Sequence, residues 1–222
     1  MPLVKQEFQI GDDLAFATLS LTMMTMAFTS IVYGGISDEW GRKRVLLSGL
    51  ALYTIGAELC WFAQNIEMLL GGRILQGAGA GCGIVLARAI ARDVYGMEKI
   101  SAVIANLTAA YVLGPLLAPT IGAYLVGWEG WRFLFIPISI IGLALIGVIY
   151  FTLPETHAPK QEKPPFSAIV RNILSNYFQL LKVPRFSAYA LMPGCLSGAF
   201  FANATASAFL ARETLNISTE MF

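Results

Sequence analysis

An arginine stands inside a long apolar stretch of this chain, where its charge needs an explanation. Arg73 lies in the run from Met68 to Ala91, and Gln76 follows three residues later. An arginine within the hydrocarbon of a bilayer costs at least about 2.5–3.5 kcal/mol, so it should face a partner or a wet cavity. Gln76 can share its polar face. The pair predicts a site that handles charge inside a membrane; the alternative is that Arg73 reaches the membrane surface from the outer end of its helix.

A second charged feature is the short turn from Tyr33 to Leu47, YGGISDEWGRKRVLL, between two apolar runs. Gly41 can adopt the positive φ that a tight turn between two helices requires. Asp38 can accept hydrogen bonds from the first amides of the next helix, or it can pair with Arg42. Arg42, Lys43 and Arg44 follow in succession. The simpler interpretation is that these cations only fix the topology, but the full spacing of Gly34, Asp38, Gly41, Arg42 and Lys43 is hard to obtain by chance.

Glu58 is the remaining acid within an apolar run. It lies about as far before the turn Gln64–Glu67 as Arg73 lies after it. The two charges could therefore lie at a similar depth in the membrane and reduce each other's cost of insertion. Against this pairing, Glu58 can reach the headgroups if its helix lies at the edge of a bundle, which is where the family resemblance stated below places it. We expect a structural or interfacial role for Glu58 rather than proton coupling.

Small residues at four-residue spacing predict close helix packing. Gly77 with Gly81, and Gly79 with Gly83, form such pairs in the third run. In the fourth run Pro115 removes a backbone hydrogen bond and should bend the helix, although packing alone is an open alternative there. The residues assigned to packing or bending are Gly34, Gly77, Gly81, Gly114, Pro115, Ala118, Pro119 and Gly122.

The composition limits the class of protein. Hydrophobic residues make up 56% of the 222 and charged residues 13%, whereas soluble domains carry about 25% charged residues. The net charge of +1 argues against a nucleic-acid partner. We find no catalytic constellation, no metal-ligand spacing and no phosphate-binding loop, so the sequence predicts neither an enzyme nor a metal or other cofactor. The three cysteines fall in apolar runs and are interpreted as small buried hydrophobes.

Six apolar runs are long enough to cross a bilayer, which takes roughly 20 residues per helix, and in lipid they must be helical. They are Leu14–Ile36, Val45–Ala63, Met68–Ala91, Ile100–Val126, Phe133–Leu153 and Tyr189–Leu210, with Asp13 as a candidate N-cap of the first. Between the last two, Pro154–Pro165 is a charged, proline-rich linker, and Phe166–Leu181 has the spacing of an amphipathic surface helix. We therefore expect a transmembrane bundle over 1–153, a cytoplasmic linker over 154–184 and the start of a second bundle over 185–222.

The distribution of cations predicts the orientation, because cytoplasmic loops are enriched in Lys and Arg. One side of the membrane should carry ten cations and the other only Lys5, Arg132 and Arg212. The ten are Arg42, Lys43, Arg44, Arg92, Lys99, Lys160, Lys163, Arg171, Lys182 and Arg185. The basic turn and the linker are therefore predicted to face the cytoplasm, which leaves the amino terminus outside.

Three motifs in order resemble the major facilitator superfamily, and within it the drug:proton antiporters of the Bcr/CflA type. They are the turn G-x-x-x-D-x-x-G-R-K-R at Gly34, the run L-x-x-G-R-x-x-Q-G-x-G-A-G at Leu69, and A-Y-V-L-G-P-L-L-A-P-T-I-G at Ala110. In the third motif Ala110 and Ala118-Pro119 replace glycines of the family's antiporter pattern. The resemblance covers nearly the whole chain.

The resemblance implies an all-α polytopic membrane protein with about five helices of a first bundle and the first helix of a second. It implies a cytoplasmic gate network of Asp38, Gly41, Arg42, Lys43 and Asp93, in which Arg42 pairs with Asp93. It places Arg73 and Gln76 in the transport cavity, with Arg73 in coupling.

The expected function is secondary transport: efflux of small amphipathic drugs or metabolites in exchange for protons, by alternating access across the inner or plasma membrane. The lipid bilayer, the substrate and the proton are then the partners, and the proton gradient supplies the energy. Because family members begin with one more helix and have twelve, we expect the chain to be a fragment whose further partner is the rest of its own protein. A solute importer or proton symporter of the same fold, and a non-transporting membrane remnant, are the alternatives.

Overall fold

The computed structural model describes residues 2–157 and 165–213, and within these residues it contains helices and no β-strand. The described residues fall into two compact units, with the division between Ile169 and Val170. The helices are α1 (Pro2–Phe8), α2 (Asp12–Trp40), α3 (Arg42–Trp61), α4 (Ile66–Glu129), a 3₁₀ turn (Trp131–Leu134), α5 (Phe135–Thr152), α6 (Phe166–Leu181) and α7 (Pro184–Glu213).

Three of the described helices are long and apolar enough to cross a membrane: 13–40 in α2, 66–127 in α4 and the segment Trp131–Thr152. They contain four of the six predicted runs, because α4 holds both the third and the fourth. The second and sixth predicted runs, in α3 and α7, are not among them. A physical reason is visible in the sequence: α3 begins with three cations and contains Glu58, and α7 is rich in small and polar residues.

The helix α4 is two helices joined at Gly96. This glycine has φ 64° and ψ −177°, and it is where α4 leaves helical geometry. A positive φ of this kind is easily adopted only by glycine. Pro115 lies farther along, within the helical part of α4, so the predicted bend at Pro115 stays a prediction.

The start of α2 differs from the sequence-based expectation. We predicted Asp13 as the N-cap, but Gly11 occupies that position with φ −71° and ψ 168°, and it makes no side-chain capping bond. The amide of Ala15 donates to the Gly11 carbonyl at 3.2 Å, so helical hydrogen bonding already begins at Gly11. By contrast α4 is capped by a side chain, since Asn65 Oδ1 accepts from the Met68 amide at 2.8 Å.

Two groups of buried side chains hold the first unit together. The Trp131 core contains Val4, Ala57, Cys60, Ala63, Leu69, Trp131 and Phe135. The Tyr33 core contains Tyr33, Val45, Cys82 and Leu86. The Trp131 core lies at the end of the helices where α3 finishes and α4 begins, which we call the outer end after its predicted orientation. The basic turn lies at the other end.

The amphipathic helix predicted for Phe166–Leu181 corresponds to α6, most of which, from Val170 onward, belongs to the second unit. The α7 helix begins at Pro184, five residues before the predicted run, and contains Pro193. Ser187 Oγ donates to the Leu181 carbonyl at 2.8 Å, which links the end of α6 to the start of α7. The predicted domain bounds stay predictions, and Lys160 and Lys163 of the linker lie outside the described residues.

Candidate functional site

The basic turn is organised around the side chain of Arg42, which is 2% exposed at the start of α3. Its Nη2 lies 2.5 Å from Asp38 Oδ1, and its Nε donates to Asp93 Oδ2 at 3.1 Å. Its Nη1 donates to Ser37 Oγ and, at 3.4 Å, to the Gly34 carbonyl. A buried arginine needs this many acceptors because each unpaired donor keeps its desolvation cost. Arg42 therefore ties the end of α2 to α4 through one guanidinium.

Gly41 makes this geometry possible. It joins α2 to α3 with φ 94° and ψ 144°, and its amide still donates to the Ser37 carbonyl at 3.1 Å. A side chain at this position would be strained by the positive φ, and its Cβ would lie 2.6 Å from Glu155 Oε2. The positive φ is the stronger reason for a glycine, because the carboxylate of Glu155 is the end of a flexible side chain that can shift.

Glu155 is the part of this cluster that the sequence analysis did not identify. We placed it in the proline-rich linker, but its Oε1 accepts from the Arg42 amide at 2.7 Å and the Lys43 amide at 3.3 Å. The first amides of α3, for which Asp38 was one candidate acceptor, are thus satisfied by Glu155, while Asp38 pairs with the guanidinium. A carboxylate at a helix N-terminus also complements the helix dipole. The available signal was its position directly after the fifth apolar run, on the predicted cytoplasmic side.

Lys43 extends the same cluster to α5. Its Nζ donates to the Tyr150 carbonyl at 2.7 Å and lies 5.4 Å from the centre of the Tyr150 ring. The end of α5 is therefore fastened to the start of α3 through Lys43 and Glu155. The structure brings all five predicted gate residues into one region, while their role as a gate stays a prediction.

Arg73 forms the second cluster, within the apolar part of α4. Its Nη1 donates to Gln76 Oε1 at 2.9 Å, and Gln76 is 4% exposed. The guanidinium carbon lies 4.9 Å from the centre of the Phe135 ring. Its Nε is buried and has no hydrogen-bond partner within the described residues. The predicted partner Gln76 is thus in place, and Phe135 is a neighbour that the sequence analysis missed.

The described residues show no ion pair between Arg73 and Glu58. Glu58 is partly exposed on α3, which agrees with the expectation of a structural or interfacial role without testing it. In the region that the structure describes, the charge of Arg73 is therefore met by an amide oxygen and an aromatic ring rather than by a carboxylate.

A third cluster at the outer end was also missed. Glu7 accepts from Arg132 Nη1 and, at 2.7 Å, from the Trp131 indole nitrogen. Arg132 Nη2 donates to the Ala63 carbonyl at 2.6 Å, and the guanidinium lies 4.4 Å from the Trp131 ring centre. The hydrogen bond from Arg132 lowers the pKa of Glu7 from its ordinary 4.5, against the opposing effect of burial. The cluster joins α1, the end of α3 and the 3₁₀ turn.

The predicted packing glycines differ in their surroundings. A Cβ at Gly77 would lie 2.4 Å from the Thr22 carbonyl oxygen, and one at Gly81 would lie 2.4 Å from Thr29 Oγ1, so both pack closely on α2. A Cβ at Gly34 would make only ordinary contact, 3.7 Å from Val85.

The fourth run does not show such packing within the described residues. A Cβ at Gly114 would meet nothing within 4 Å, and one at Gly122 would lie 3.9 Å from Leu134. Ala118 is exposed. The side chain of Pro119 lies outside the described part. The predicted seam of Gly114, Ala118 and Gly122 therefore has no closely packed partner in this structure and stays a prediction.

Comparison with known proteins places these features in a family. The model of the family described as Major Facilitator Superfamily matches residues 1–222. An uncharacterized transporter of Rickettsia felis is 29% identical over 226 residues, covering 100% of this chain and 54% of the relative. The bicyclomycin resistance protein homolog of Haemophilus influenzae is 27% identical, over 93% of this chain and 51% of the relative. The multidrug resistance protein MdtL of Shigella dysenteriae is 31% identical, over 70% and 40% respectively.

The fold has a solved counterpart in a crystal structure of the peptide transporter POT (E310Q mutant) in complex with sulfate. The TM-score is 0.51 at 18% identity, over 75% of this chain and 38% of that one, so this likeness concerns the fold alone. The chain spans about half the length of the curated relatives it matches. Because the family model matches all 222 residues, the chain belongs to the Major Facilitator Superfamily, a family of integral membrane transporters rather than enzymes.

Proposed function

We propose that this chain forms part of a proton-coupled exporter of small amphipathic drugs or metabolites, working by alternating access in the inner or plasma membrane. In that mechanism two helix bundles rock about a midplane site so that it opens to either side in turn. Two curated relatives carry names that refer to bicyclomycin resistance and multidrug resistance, which supports efflux of such compounds.

The observation that carries the proposal is the environment of Arg73. A cation in a spanning helix is costly unless function requires it, and here no carboxylate within the described residues pairs with it. Gln76 accepts one of its hydrogen bonds at 2.9 Å, and its Nε is left without a partner. Such a cation is available to a group that enters and leaves, such as a substrate or a residue that releases its proton.

The Arg42 cluster supplies the second element of the mechanism. Its acceptors, Asp38, Asp93 and Glu155, come from different helices or their ends, so the cluster holds three segments together at the predicted cytoplasmic end. We infer that this network closes the cytoplasmic side in one state. The free energy needed to break it then sets part of the equilibrium between the states that are open to either side of the membrane.

The test uses the protein expressed from its native gene and reconstituted in sealed vesicles. Efflux of a fluorescent amphipathic cation is followed while a pH gradient is imposed and then collapsed with an ionophore. We expect efflux to depend on the gradient and to be lost in Arg73→Ala, while Arg88→Ala, a change at another arginine of α4, controls for loss of charge alone. Efflux that continues without the gradient would exclude antiport.

The direction of flow separates the two transport functions. Ala118-Pro119, in place of the family's two glycines, leaves room for an importer or proton symporter. Uptake into energised vesicles along with protons would favour the symporter. A protein that moves none of a panel of amphipathic compounds in either direction, although correctly inserted, would favour the non-transporting remnant.

A further inference from the structure

The charge of Arg73 is met by an aromatic ring that no motif in the sequence identifies. Phe135 is 1% exposed and is the largest fully buried side chain among the described residues. The Arg73 guanidinium lies 4.9 Å from its ring centre. A cation within about 6 Å of an aromatic face is attracted by the ring quadrupole, and the attraction is strongest where both groups are removed from water.

The position of the Phe135 ring is itself fixed from the outer end. Its ring packs at 89° against Trp131, with 6.1 Å between ring centres. The Trp131 indole donates to Glu7 at 2.7 Å, and Arg132 lies over the same indole while donating to the Ala63 carbonyl. A chain of contacts therefore runs from the hydrogen-bonded outer cluster through Trp131 and Phe135 to Arg73.

We propose that Phe135 is a positioning residue for transport: its ring face holds the Arg73 guanidinium oriented toward Gln76 without binding it in a permanent ion pair. The inference rests on the proposed role of Arg73 in coupling. A fixed carboxylate would hold Arg73 in one pair, whereas an aromatic face stabilises the cation and leaves its Nε available. That combination suits a site whose anionic partner binds and dissociates during each transport cycle.

The competing explanation is that Phe135 only fills the Trp131 core. Both explanations predict damage from truncation to alanine, since removing a buried ring leaves a cavity. They differ when the electron density of the ring is lowered at nearly constant volume. Fluorination of the ring weakens the attraction of its face for a cation, while its packing contacts are nearly unchanged.

The experiment replaces Phe135 by 4-fluoro-, 3,5-difluoro- and 3,4,5-trifluorophenylalanine through nonsense suppression in the full protein. Membrane abundance, melting temperature, and the kcat, KM and pH profile of efflux are measured for each. We expect proton-dependent kcat to fall stepwise with fluorination, by about tenfold for the trifluoro ring, on the scale of a desolvated cation–π contact. Abundance and melting temperature should stay close to those of the native ring. The matched control is the same series at Phe151, a phenylalanine of α5 that is 84% exposed.

A kcat and pH profile that are independent of fluorination would overturn the proposal and leave Phe135 as a packing residue. Arg73→Gln separates this failure from failure of the proposed function. If Arg73→Gln abolishes proton-dependent efflux and fluorination has no effect, only the role of Phe135 is wrong. If Arg73→Gln retains the native pH profile, the coupling role of Arg73 is wrong and the inference fails with it.

Discussion

At the scale of single residues, three arginines show how one side chain can be held in three ways. Arg42 is surrounded by carboxylates and oxygens from several segments, Arg73 by an amide and a ring, and Arg132 by a carboxylate, a carbonyl and an indole. Only the first combines full burial with two carboxylate partners. We therefore expect Arg42 to contribute most to the stability of the fold. We expect Arg73 to contribute most to the changes of partner during the proposed transport cycle.

Gly41 gives the first prediction. Gly41→Ala places a Cβ at φ 94° and 2.6 Å from Glu155 Oε2, so it should destabilise the protein by about 1–3 kcal/mol. Melting of the purified protein in detergent measures the loss. Gly71→Ala is the control, because its Cβ would meet nothing within 4 Å in a helical segment, and it should cause no loss. Equal melting temperatures for Gly41→Ala and the native protein would contradict the geometry of the turn.

Glu7 gives a pH dependence. Its pKa is lowered below 4.5 in the folded protein, chiefly by the hydrogen bond from Arg132, so its contribution to stability is present above the ordinary pKa and is lost as the pH falls through the lowered one. Glu7→Gln should therefore melt below the native protein at neutral pH, and the difference should shrink at pH values under 4.5. Melting curves across that range measure it.

The control for this titration is Glu67→Gln, at an exposed carboxylate in the first turn of α4. It shows the effect of removing a surface charge at the same end of the molecule. A difference between Glu7→Gln and the native protein that is constant with pH would mean that the interaction with Arg132 is not what Glu7 contributes.

At the scale of elements, α4 packs closely against both α2 and α3 through opposite sets of glycines. A Cβ at Gly79 would lie 2.3 Å from the Tyr53 amide nitrogen of α3, whereas one at Gly77 would lie 2.4 Å from the Thr22 carbonyl of α2. Contacts to backbone cannot be relieved by a rotamer change, so these positions fix the distance between helix axes. The sequence predicted small-residue pairs in α4, but it did not show which helix each glycine faces.

A matched pair of substitutions tests this packing. Gly79→Ala should destabilise the bundle by about 1–3 kcal/mol through overpacking, while Gly83→Ala, one turn along the same helix, should not, since its Cβ would meet nothing within 4 Å. Chemical denaturation or thermal melting in detergent compares the two. We predicted Gly79 and Gly83 as one packing pair, and within the described residues only Gly79 has the close neighbour, so similar losses for both variants would contradict the structure.

The junction of α5 and α3 gives another prediction at this scale. Glu155→Ala removes the acceptor for the Arg42 and Lys43 amides, which should destabilise the start of α3 by about 0.5–2 kcal/mol, as for other lost helix caps. Glu155→Gln keeps an oxygen acceptor and loses the charge, so its effect should be smaller. Hydrogen exchange of the first α3 amides measures both, and unchanged protection in Glu155→Ala would show that Glu155 does not cap this helix.

At the scale of the whole molecule, the basic turn and the outer cluster lie at opposite ends of the first unit. We expect the basic turn to face the cytoplasm because the cations are concentrated there. In a background without native cysteines, a cysteine replacing the exposed Arg44 should react with an impermeant thiol reagent only from the cytoplasmic side. A cysteine replacing Glu67 should react only from the outside. Labelling of the Arg44 position from outside would overturn the orientation and the gate assignment with it.

The sequence by itself determined the class of fold, because apolar runs of bilayer length can only be helices and their charged turns have few possible positions. It also identified the turn at Gly41, Arg73 with Gln76, and the amphipathic helix α6. These features are local: each depends on residues within one helix or one turn. The family match along the chain agrees with that interpretation.

Only the tertiary structure decided which distant groups complete each cluster. Glu155 accepts from the amide of Arg42, which is 113 residues away in the sequence. Glu7 accepts from the indole of Trp131, which is 124 residues away. No periodicity or spacing encodes such pairs, because they depend on which helix ends meet after packing. The same holds for Phe135 beneath Arg73: an aromatic ring in an apolar helix has no distinctive signal until a charge is placed against its face.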